Sequence, residues 1–303
     1  MNPFEAFRFG AAPAAAAASP LKRPRSPAAP PAAALPRRDW VQPPAQWEEV
    51  YSRIVAARAG RTASVDEFHA FLLACRTEPS PAFQVLVASL LSVQCRDTVA
   101  LAATLRLRAA LGGAITPAAV HAAAPGCVED AVATCNLRNA KARVFAAHAA
   151  CTAASVRFDT SAVCPQARFV RGCAAALLSP RHGGEVPRDV ATLQTLPGVG
   201  PKVARLVASV AFGDAGAGIV VDTHVHRVTN RLGWAAAPAP ERTRQQLQAW
   251  LPAALWDEAS LELLGFGQQV CTPVRPRCAD CPVRDLCPSA HAAQPGDAAD
   301  PDF

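Results

Sequence analysis

The chain has 303 residues, which is enough apolar material for one large domain or two closely associated ones. Hydrophobic residues make up 51% of the sequence, but no run of about 18 apolar residues occurs, so no membrane-spanning helix is predicted. The net charge of +6 is concentrated in residues 1–38, which carry +5 and leave only +1 for the rest. Overall charge therefore does not indicate a nucleic-acid partner, and local clusters of Lys and Arg must decide.

The N-terminal arm, residues 1–44, is predicted to be disordered. Between Ala11 and Pro36, 19 of 26 residues are Ala or Pro, which offer too little large apolar surface for a packed core. The run Lys22-Arg23-Pro24-Arg25 is typical of a nuclear address, and the acid-poor beginning is compatible with an organellar transit peptide. A solvated tail without function is the alternative. Residues 291–303 are predicted to form a second disordered end.

Between these ends, apolar residues recur three and four positions apart, as from Trp47 to Val55 and from Phe83 to Leu91. Breakers such as Gly112-Gly113 separate about ten such segments. The one short β-branched run, Ile219 to Val221, leads into Asp222 and fits the approach to a helix better than a sheet. An all-α fold is therefore predicted, and the lack of a fixed repeat argues against a solenoid.

The segment Leu196-Pro197-Gly198-Val199-Gly200-Pro201-Lys202 lies between two helical patterns and predicts a helix–hairpin–helix. Gly198 and Gly200 permit positive φ or a close approach, and Pro201 suits the first turn of the second helix. Free amides in such a hairpin can bind a backbone phosphate without reading its sequence. An ordinary tight corner between helices is the alternative, which the full heptapeptide disfavours.

Lys202 falls in the first turn of the second helix. The positive end of the helix dipole and partial burial both disfavour an ammonium there, which would leave a nucleophilic amine near neutral pH. Taken alone, Lys202 would be an ordinary surface lysine. Asp222, in Val221-Asp222-Thr223-His224, is expected to cap a helix. It could also face the same pocket as Lys202 and accept its proton or stabilise positive charge.

Four C-terminal cysteines are separated by six, two and five residues, which is a strong signal for a metal site: Cys271, Cys278, Cys281 and Cys287. Zinc and an iron–sulfur cluster suit four thiolates equally well. Two disulfides are disfavoured because no signal-peptide core is present. Arg275 and Arg277 form a loop suited to phosphate contact, although exposed arginines are often merely solvated. The other cysteines are interpreted as apolar fillers without chemistry: Cys75, Cys95, Cys127, Cys135, Cys151, Cys164 and Cys173.

The hairpin at 196–202, the tetrad at 221–224 and the cysteine spacing together resemble endonuclease III, within the helix–hairpin–helix glycosylase superfamily. The resemblance extends over residues 45–290 and is greatest to the eukaryotic branch. It implies an all-α fold with a six-helix barrel lobe, residues 75–214, and an iron–sulfur cluster lobe, residues 45–74 and 215–290. It also implies a [4Fe–4S] cluster on the four cysteines, with a mainly structural or DNA-positioning role.

The resemblance further implies a bifunctional DNA glycosylase and AP lyase of base excision repair that acts on oxidised pyrimidines in duplex DNA. Lys202 would attack C1′ of the flipped nucleotide with the help of Asp222, and β-elimination would nick the strand 3′ to the abasic site. Gln94 matches the residue that fills the gap left by the flipped nucleotide. Leu137 matches an opposing wedge. Both would contact DNA.

Two positions, Cys95 and Arg138, depart from the family pattern and leave the preferred lesion open. An adenine glycosylase acting opposite 8-oxoguanine is disfavoured because Lys202 is present and only 16 residues follow Cys287. A monofunctional or non-enzymatic helix–hairpin–helix iron–sulfur protein remains the alternative, as does a zinc protein unrelated to repair. The expected form is a monomer on DNA, without membrane association, in the nucleus, the mitochondrion or another organelle.

Overall fold

The computed structural model describes residues 42–135, 165–214 and 216–290. Most of the predicted arm, the predicted tail and Leu137 therefore lie outside the described residues. Every regular element in these three ranges is helical, and none of their helices has the length and apolarity to cross a membrane. The described α-helices are α1 (Trp47–Arg58), α2 (Ser64–Ala74), α3 (Pro81–Leu91), α4 (Asp97–Ala110), α5 (Pro117–Ala122), α6 (Cys127–Val132), α7 (Pro165–Leu177), α8 (Val190–Leu193), α9 (Pro201–Phe212), α10 (Thr223–Arg231), α11 (Pro240–Gln248) and α12 (Trp256–Gln269), with 3₁₀ turns at Cys75–Thr77 and Ala253–Leu255.

The described residues divide into two compact units. The first comprises residues 62–217, and the second comprises residues 42–61 together with 218–290. Sequence analysis assigned residues 45–74 to the cluster lobe, whereas α2 belongs to the first unit. The reason is packing, since α2 buries Phe68 and Leu72 and contacts α3, α4 and α9.

Helix α3 is the centre of the first unit. Every residue from Phe83 to Leu91 is buried, as expected for a helix surrounded by protein on all sides. Pro81 occupies the first helical turn, where its missing N–H costs no hydrogen bond. Helices α4, α7 and α9 pack on α3. The hairpin that leads into α9 is thus supported by the most buried helix of its unit.

An aromatic cluster holds the second unit together. The ring centroids of Trp234 and Trp250 are 5.6 Å apart, those of Trp47 and Trp250 are 5.4 Å apart, and both pairs meet edge to face. Such pairs contribute about 0.5–1.5 kcal/mol each beyond their buried area. The indole N–H of Trp250 also donates to the Trp234 carbonyl at 3.3 Å. Helices α1 and α10 pack on α12, whose end leads directly into the cysteine segment.

A buried ion pair joins α1 to α12 in the second unit. Arg58 Nε donates to the Glu262 carboxylate at 2.7 Å, and the two side chains are only 4% and 5% exposed. Gly265 leaves room for this guanidinium, because a Cβ at that position would lie within 2.6 Å of three of its atoms. Removing one partner from a buried pair typically costs about 3–5 kcal/mol. The pair therefore fixes the helix from which the cysteine segment departs.

The β-branched run before Asp222 forms no strand, in agreement with the sequence analysis. Ile219 is fully buried, and the amide of Val220 donates to the Ser260 hydroxyl at 3.1 Å. This side-chain acceptor replaces the strand partner that the amide lacks. The run is thereby held against α12 and delivers Asp222 to the start of α10.

Candidate functional site

The segment between α8 and α9 forms a hairpin. The amide of Val199 donates to the Leu196 carbonyl at 3.2 Å, and Gly198 adopts φ +77°. Gly200 precedes α9 with φ −88°, and a Cβ there would meet nothing within 4 Å. The left-handed conformation is thus found at Gly198 and not at Gly200. What glycine provides at position 200 is a backbone left uncovered toward solvent.

Lys202 lies in the first turn of α9, directly after the hairpin, and is half-buried. No side chain caps this turn, so the amides at the start of α9 and the positive end of its dipole are available to an anion. Beyond Lys202 the helix buries Val203 and Val207 and packs on α3. Lys202 is therefore fixed at the accessible end of a well-anchored helix.

Asp222 caps α10, as the sequence predicts. Its Oδ1 accepts hydrogen bonds from the amides of His224 at 2.8 Å and Val225 at 2.9 Å. Since both amides bind the same oxygen, the cap leaves Oδ2 outside these two bonds. A capping role and a chemical role are thus compatible in one carboxylate. Asp222 belongs to the second unit, whereas Lys202 belongs to the first.

Gln94 occupies an exposed turn between α3 and α4 and has φ +54°. A positive φ is uncommon for residues other than glycine and often marks a functional position. The turn is stabilised on both sides. Ser92 Oγ donates to the Ser89 carbonyl at 2.8 Å, and the amide of Cys95 donates to the Ser92 carbonyl at 3.3 Å. Gln94 is therefore presented to solvent by a defined turn.

The four C-terminal cysteines are half-buried free thiols that line one cavity of about 360 Å³. Burial raises the pKa of Cys281, and negative charge on the other three thiols raises it further. Burial also raises the pKa of Cys287, and negative charge on Cys271 and Cys278 adds to this rise. These couplings indicate four thiols close enough to repel one another as thiolates, so a bound cation would offset that repulsion.

The size of the cavity bears on the kind of metal group. Within residues 42–135, 165–214 and 216–290, no group of three His, Cys, Asp or Glu side chains is close enough together to hold a metal ion. A single water needs about 10–15 Å³ of such space, so 360 Å³ accommodates a group of several atoms. The donor set of four thiols suits such a polynuclear group.

Two arginines of α10 brace the cysteine segment, and sequence analysis missed both. Arg227 Nη2 donates to the carbonyls of Gly267 at 2.8 Å and Cys271 at 2.9 Å. Arg231 Nη1 donates to the Thr272 carbonyl at 2.7 Å and to Cys271 Sγ at 3.4 Å. Their spacing of four residues puts both on one face of α10, and this spacing was the available sequence signal.

The loop after Cys271 exposes two guanidinium groups. Arg275 has φ +51°, and its carbonyl accepts a hydrogen bond from the Thr272 hydroxyl at 3.1 Å. Arg277 is exposed as well, and its amide donates to the Val270 carbonyl at 2.9 Å. Arg277 also lines a surface depression of about 520 Å³. The other lining residues are Arg61, Gln268, Gln269 and Thr272.

An all-helical fold with a glycine hairpin, a lysine at the following helix start and a four-thiol cavity defines a helix–hairpin–helix protein. Residues 87–253 match the HhH-GPD superfamily of base excision DNA repair proteins. The chain belongs to this superfamily. The sequence-based expectation of an all-α DNA glycosylase fold is thereby confirmed.

Within the superfamily, comparison with known proteins confirms the expected resemblance to endonuclease III. Endonuclease III-like protein 1 of Bos taurus is 37% identical over 258 residues, covering 82% of this chain and 73% of that protein. Chloroplastic Endonuclease III homolog 1 of Arabidopsis thaliana is 36% identical over 256 residues, and the chain spans 60% of its length. The solved structure of a trapped endonuclease III–DNA covalent intermediate is 30% identical with a TM-score of 0.55, covering 69% of this chain and 84% of that one.

Proposed function

We propose that this protein is a bifunctional DNA N-glycosylase and AP lyase that removes oxidised pyrimidines from duplex DNA. The observation that carries the proposal is Lys202 in the uncapped first turn of α9, directly after the hairpin. A trapped covalent intermediate with DNA among the similar solved structures supports a covalent mechanism. The chain spans 73% of the length of the first relative and 60% of the length of the second. The activity is therefore stated as a proposal for this chain and is not carried over from the whole relatives.

The hairpin supplies binding that is independent of base sequence. Its uncovered backbone at Gly200 and the free amides at the start of α9 suit one phosphate of the DNA backbone. A phosphate bound there would bring duplex DNA next to Lys202. Arg275 and Arg277 would add further phosphate contacts from the second unit.

Lys202 is the proposed nucleophile. With the damaged nucleotide flipped out, its neutral amine forms a bond to C1′ while the bond from C1′ to the base breaks. The electron pair leaves with the base, which takes up a proton. Asp222 would assist by accepting the proton from Lys202 or by stabilising positive charge on the sugar.

Strand cleavage follows from the same covalent bond. Ring opening gives an imine between Lys202 and C1′, and this imine acidifies the hydrogen on C2′. Loss of that proton forms a C2′–C3′ double bond and expels the 3′ phosphate, so the nick lies 3′ to the abasic site. Hydrolysis of the imine returns the free amine of Lys202.

Gln94, exposed on its turn, would fill the gap left by the flipped nucleotide. Leu137, outside the described residues, would be the opposing wedge.

We also propose that the four cysteines hold a [4Fe–4S] cluster. The shared cavity, which has room for several atoms, and the donor set of four thiols support this assignment. When bound, the group would cross-link Cys271 to Cys287 and fix the arginine loop between them. Visible absorbance, together with iron and zinc content of anaerobically purified protein, tests the proposal. Zinc without iron would contradict it.

The proposed compartment is the nucleus, the mitochondrion or another organelle, and the proposed form is a monomer on DNA. The basic run Lys22-Arg23-Pro24-Arg25 supports the compartment, and relatives include a chloroplastic protein. A fluorescent fusion with and without residues 1–44 tests it. Equal distribution of both fusions would argue against an address in the arm.

Borohydride trapping on a duplex with one thymine glycol is the decisive experiment for the reaction. The chain has three lysines, Lys22, Lys141 and Lys202, so single Ala variants test each lysine as the nucleophile. We expect a covalent complex with the wild type and with Lys22→Ala and Lys141→Ala, and none with Lys202→Ala. Undamaged duplex should give no complex. Trapping by Lys202→Ala would assign the nucleophile to a different amine, whereas no trapping by wild-type protein that binds the duplex would favour a monofunctional or non-enzymatic protein.

A further inference from the structure

Helix α7, which precedes α8 in the chain, contacts the hairpin at three places within the first unit. The first is a steric fit between Gly198 and Phe169. A Cβ on Gly198 would lie 2.4 Å from Cγ and 2.7 Å from both Cδ atoms of the Phe169 ring. Because the three atoms are nearly equidistant, the glycine backbone rests on the face of the ring near Cγ. The exposed Arg168 guanidinium also stacks over this ring, at 5.3 Å from its centroid.

The second contact is between the backbone of Gly172 and the ring of Pro197. A Cβ on Gly172 would lie 3.1 Å from Cβ and 3.2 Å from Cγ of Pro197. Glycine is unfavourable in the middle of a helix, where alanine would fold better. Its presence within α7 therefore calls for a local reason, and the close approach of Pro197 provides one.

The third contact is a hydrogen bond from a cysteine that sequence analysis interpreted as an apolar filler. Cys173 Sγ lies 3.2 Å from the Pro197 carbonyl oxygen. Burial raises the pKa of Cys173 to about 12, so the thiol keeps its proton and can donate it to this carbonyl. This bond ties the Pro197 carbonyl of the hairpin directly to α7.

The same helix also reaches the turn that carries Gln94. Gln166 Nε2 lies 3.4 Å from the Val93 carbonyl oxygen, one residue before Gln94. One rigid helix thus contacts both segments of the first unit that are proposed to touch DNA. A change in α7 would move the hairpin, the turn or both.

We infer that α7 is a positioning element for DNA binding, in which Phe169, Gly172 and Cys173 determine the position and orientation of the hairpin relative to α7. The inference rests on the proposed function in that the hairpin is taken to bind a phosphate. Binding groups must be held within about 0.5 Å of their working geometry. Shifts of a few tenths of an ångström at Pro197 or Gly198 would therefore weaken binding while the core stays packed.

Cys173 and Cys75 provide a matched pair for testing the inference. Both are fully buried in the first unit, and both thiols have a pKa raised by burial, but the Cys173 thiol bonds to the hairpin. Each Ala variant removes one buried sulfur, so we expect similar losses in melting temperature. Only Cys173→Ala should weaken binding of an undamaged duplex, by about threefold to tenfold, the range expected if the displaced hairpin loses one hydrogen bond to the phosphate. Cys173→Ser keeps a donor and should bind within about twofold of the wild type.

Gly172→Ala separates helix stability from hairpin position. The new methyl favours the helix but presses on Pro197, so DNA affinity should fall while the melting temperature does not fall in proportion. In both α7 variants the loss should appear mainly in duplex affinity and less in single-turnover cleavage at saturating abasic-site duplex.

The outcomes distinguish this inference from the proposed reaction. Equal loss of affinity in Cys75→Ala and Cys173→Ala, or unchanged affinity in Cys173→Ala and Gly172→Ala, would overturn the positioning role. Undamaged duplex binding does not require Lys202 chemistry. A protein that fails borohydride trapping but shows the predicted affinity differences would therefore refute the lyase proposal and retain the role of α7.

Discussion

The two units build their proposed DNA contacts from different materials. In the first unit, the hairpin offers backbone amides and is held by packing against Phe169 and by one thiol hydrogen bond. In the second unit, the cysteine loop offers guanidinium groups and is held by five hydrogen bonds from Arg227 and Arg231. A substitution that changes the shape of the hairpin disturbs all of its packing contacts at once. Hydrogen bonds to the cysteine loop can instead be removed one arginine at a time.

This contrast predicts large losses of stability when a substitution changes the shape of the hairpin. It predicts smaller, separate losses of stability or DNA affinity when a single charge is removed in the second unit. Asp222 is a separate test of the second unit, since its carboxylate both caps a helix and is proposed to act in the reaction. The predictions below run from the largest expected effect to the smallest.

Replacing Asp222 with serine separates capping from chemistry. Serine caps helices about as well as aspartate, so the free energy of unfolding should stay within about 0.5 kcal/mol. Base removal from a thymine glycol duplex, measured in single turnover, should slow by about 100-fold or more because the carboxylate is lost. Asp222→Ala should lose about 1 kcal/mol of stability as well. Normal base removal by Asp222→Ser would leave Asp222 with a structural role alone.

The two hairpin glycines should respond differently to alanine. Gly198→Ala combines a left-handed φ with overlap on Phe169 and should lower the free energy of unfolding by about 2–4 kcal/mol. Gly200→Ala has an ordinary φ and open space, so its stability should change by less than about 0.5 kcal/mol. Denaturant titration measures both. Gly200→Ala should nonetheless bind duplex DNA more weakly, because its methyl group would cover the backbone that is proposed to bind a phosphate. Unchanged affinity there would mean that the hairpin does not face DNA.

Arg231→Met removes three hydrogen bonds to the cysteine segment while keeping most of the apolar stem. We expect a loss of about 2 kcal/mol in unfolding free energy and faster release of bound metal to a chelator. Arg284→Met, at an exposed position on the same segment, is the control and should change neither quantity appreciably. If both variants release metal at the wild-type rate, the brace from α10 does not stabilise the cysteine centre.

The smallest expected effect concerns a single phosphate contact. Arg277→Ala should weaken duplex binding by about threefold to tenfold and reduce the slope of log affinity against log salt by about one. The loss should be the same for damaged and undamaged duplex, because phosphate contacts carry no sequence information. Arg284→Ala again serves as the control. An unchanged salt slope for Arg277→Ala would remove this residue from the proposed interface.

Much of the local structure could be predicted from the sequence. The helical spacing around Phe83 to Leu91, the heptapeptide at 196–202 and the cap at Asp222 each depend on neighbours within one or two turns. Four thiols within 17 residues likewise indicate a metal site by spacing alone. Such features follow from backbone geometry and short-range hydrogen bonding, which the order of residues determined by itself.

Only the tertiary structure decided which residues support those features. Cys173 and Pro197 are 24 positions apart, and Arg231 and Cys271 are 40 apart, so no local pattern links them. The same holds for α2, whose apolar face fits either lobe by pattern but packs in the first unit. A buried cysteine looks like a filler in sequence, and an arginine on a helix looks solvated. Their roles depend on the group that the folded chain brings against them.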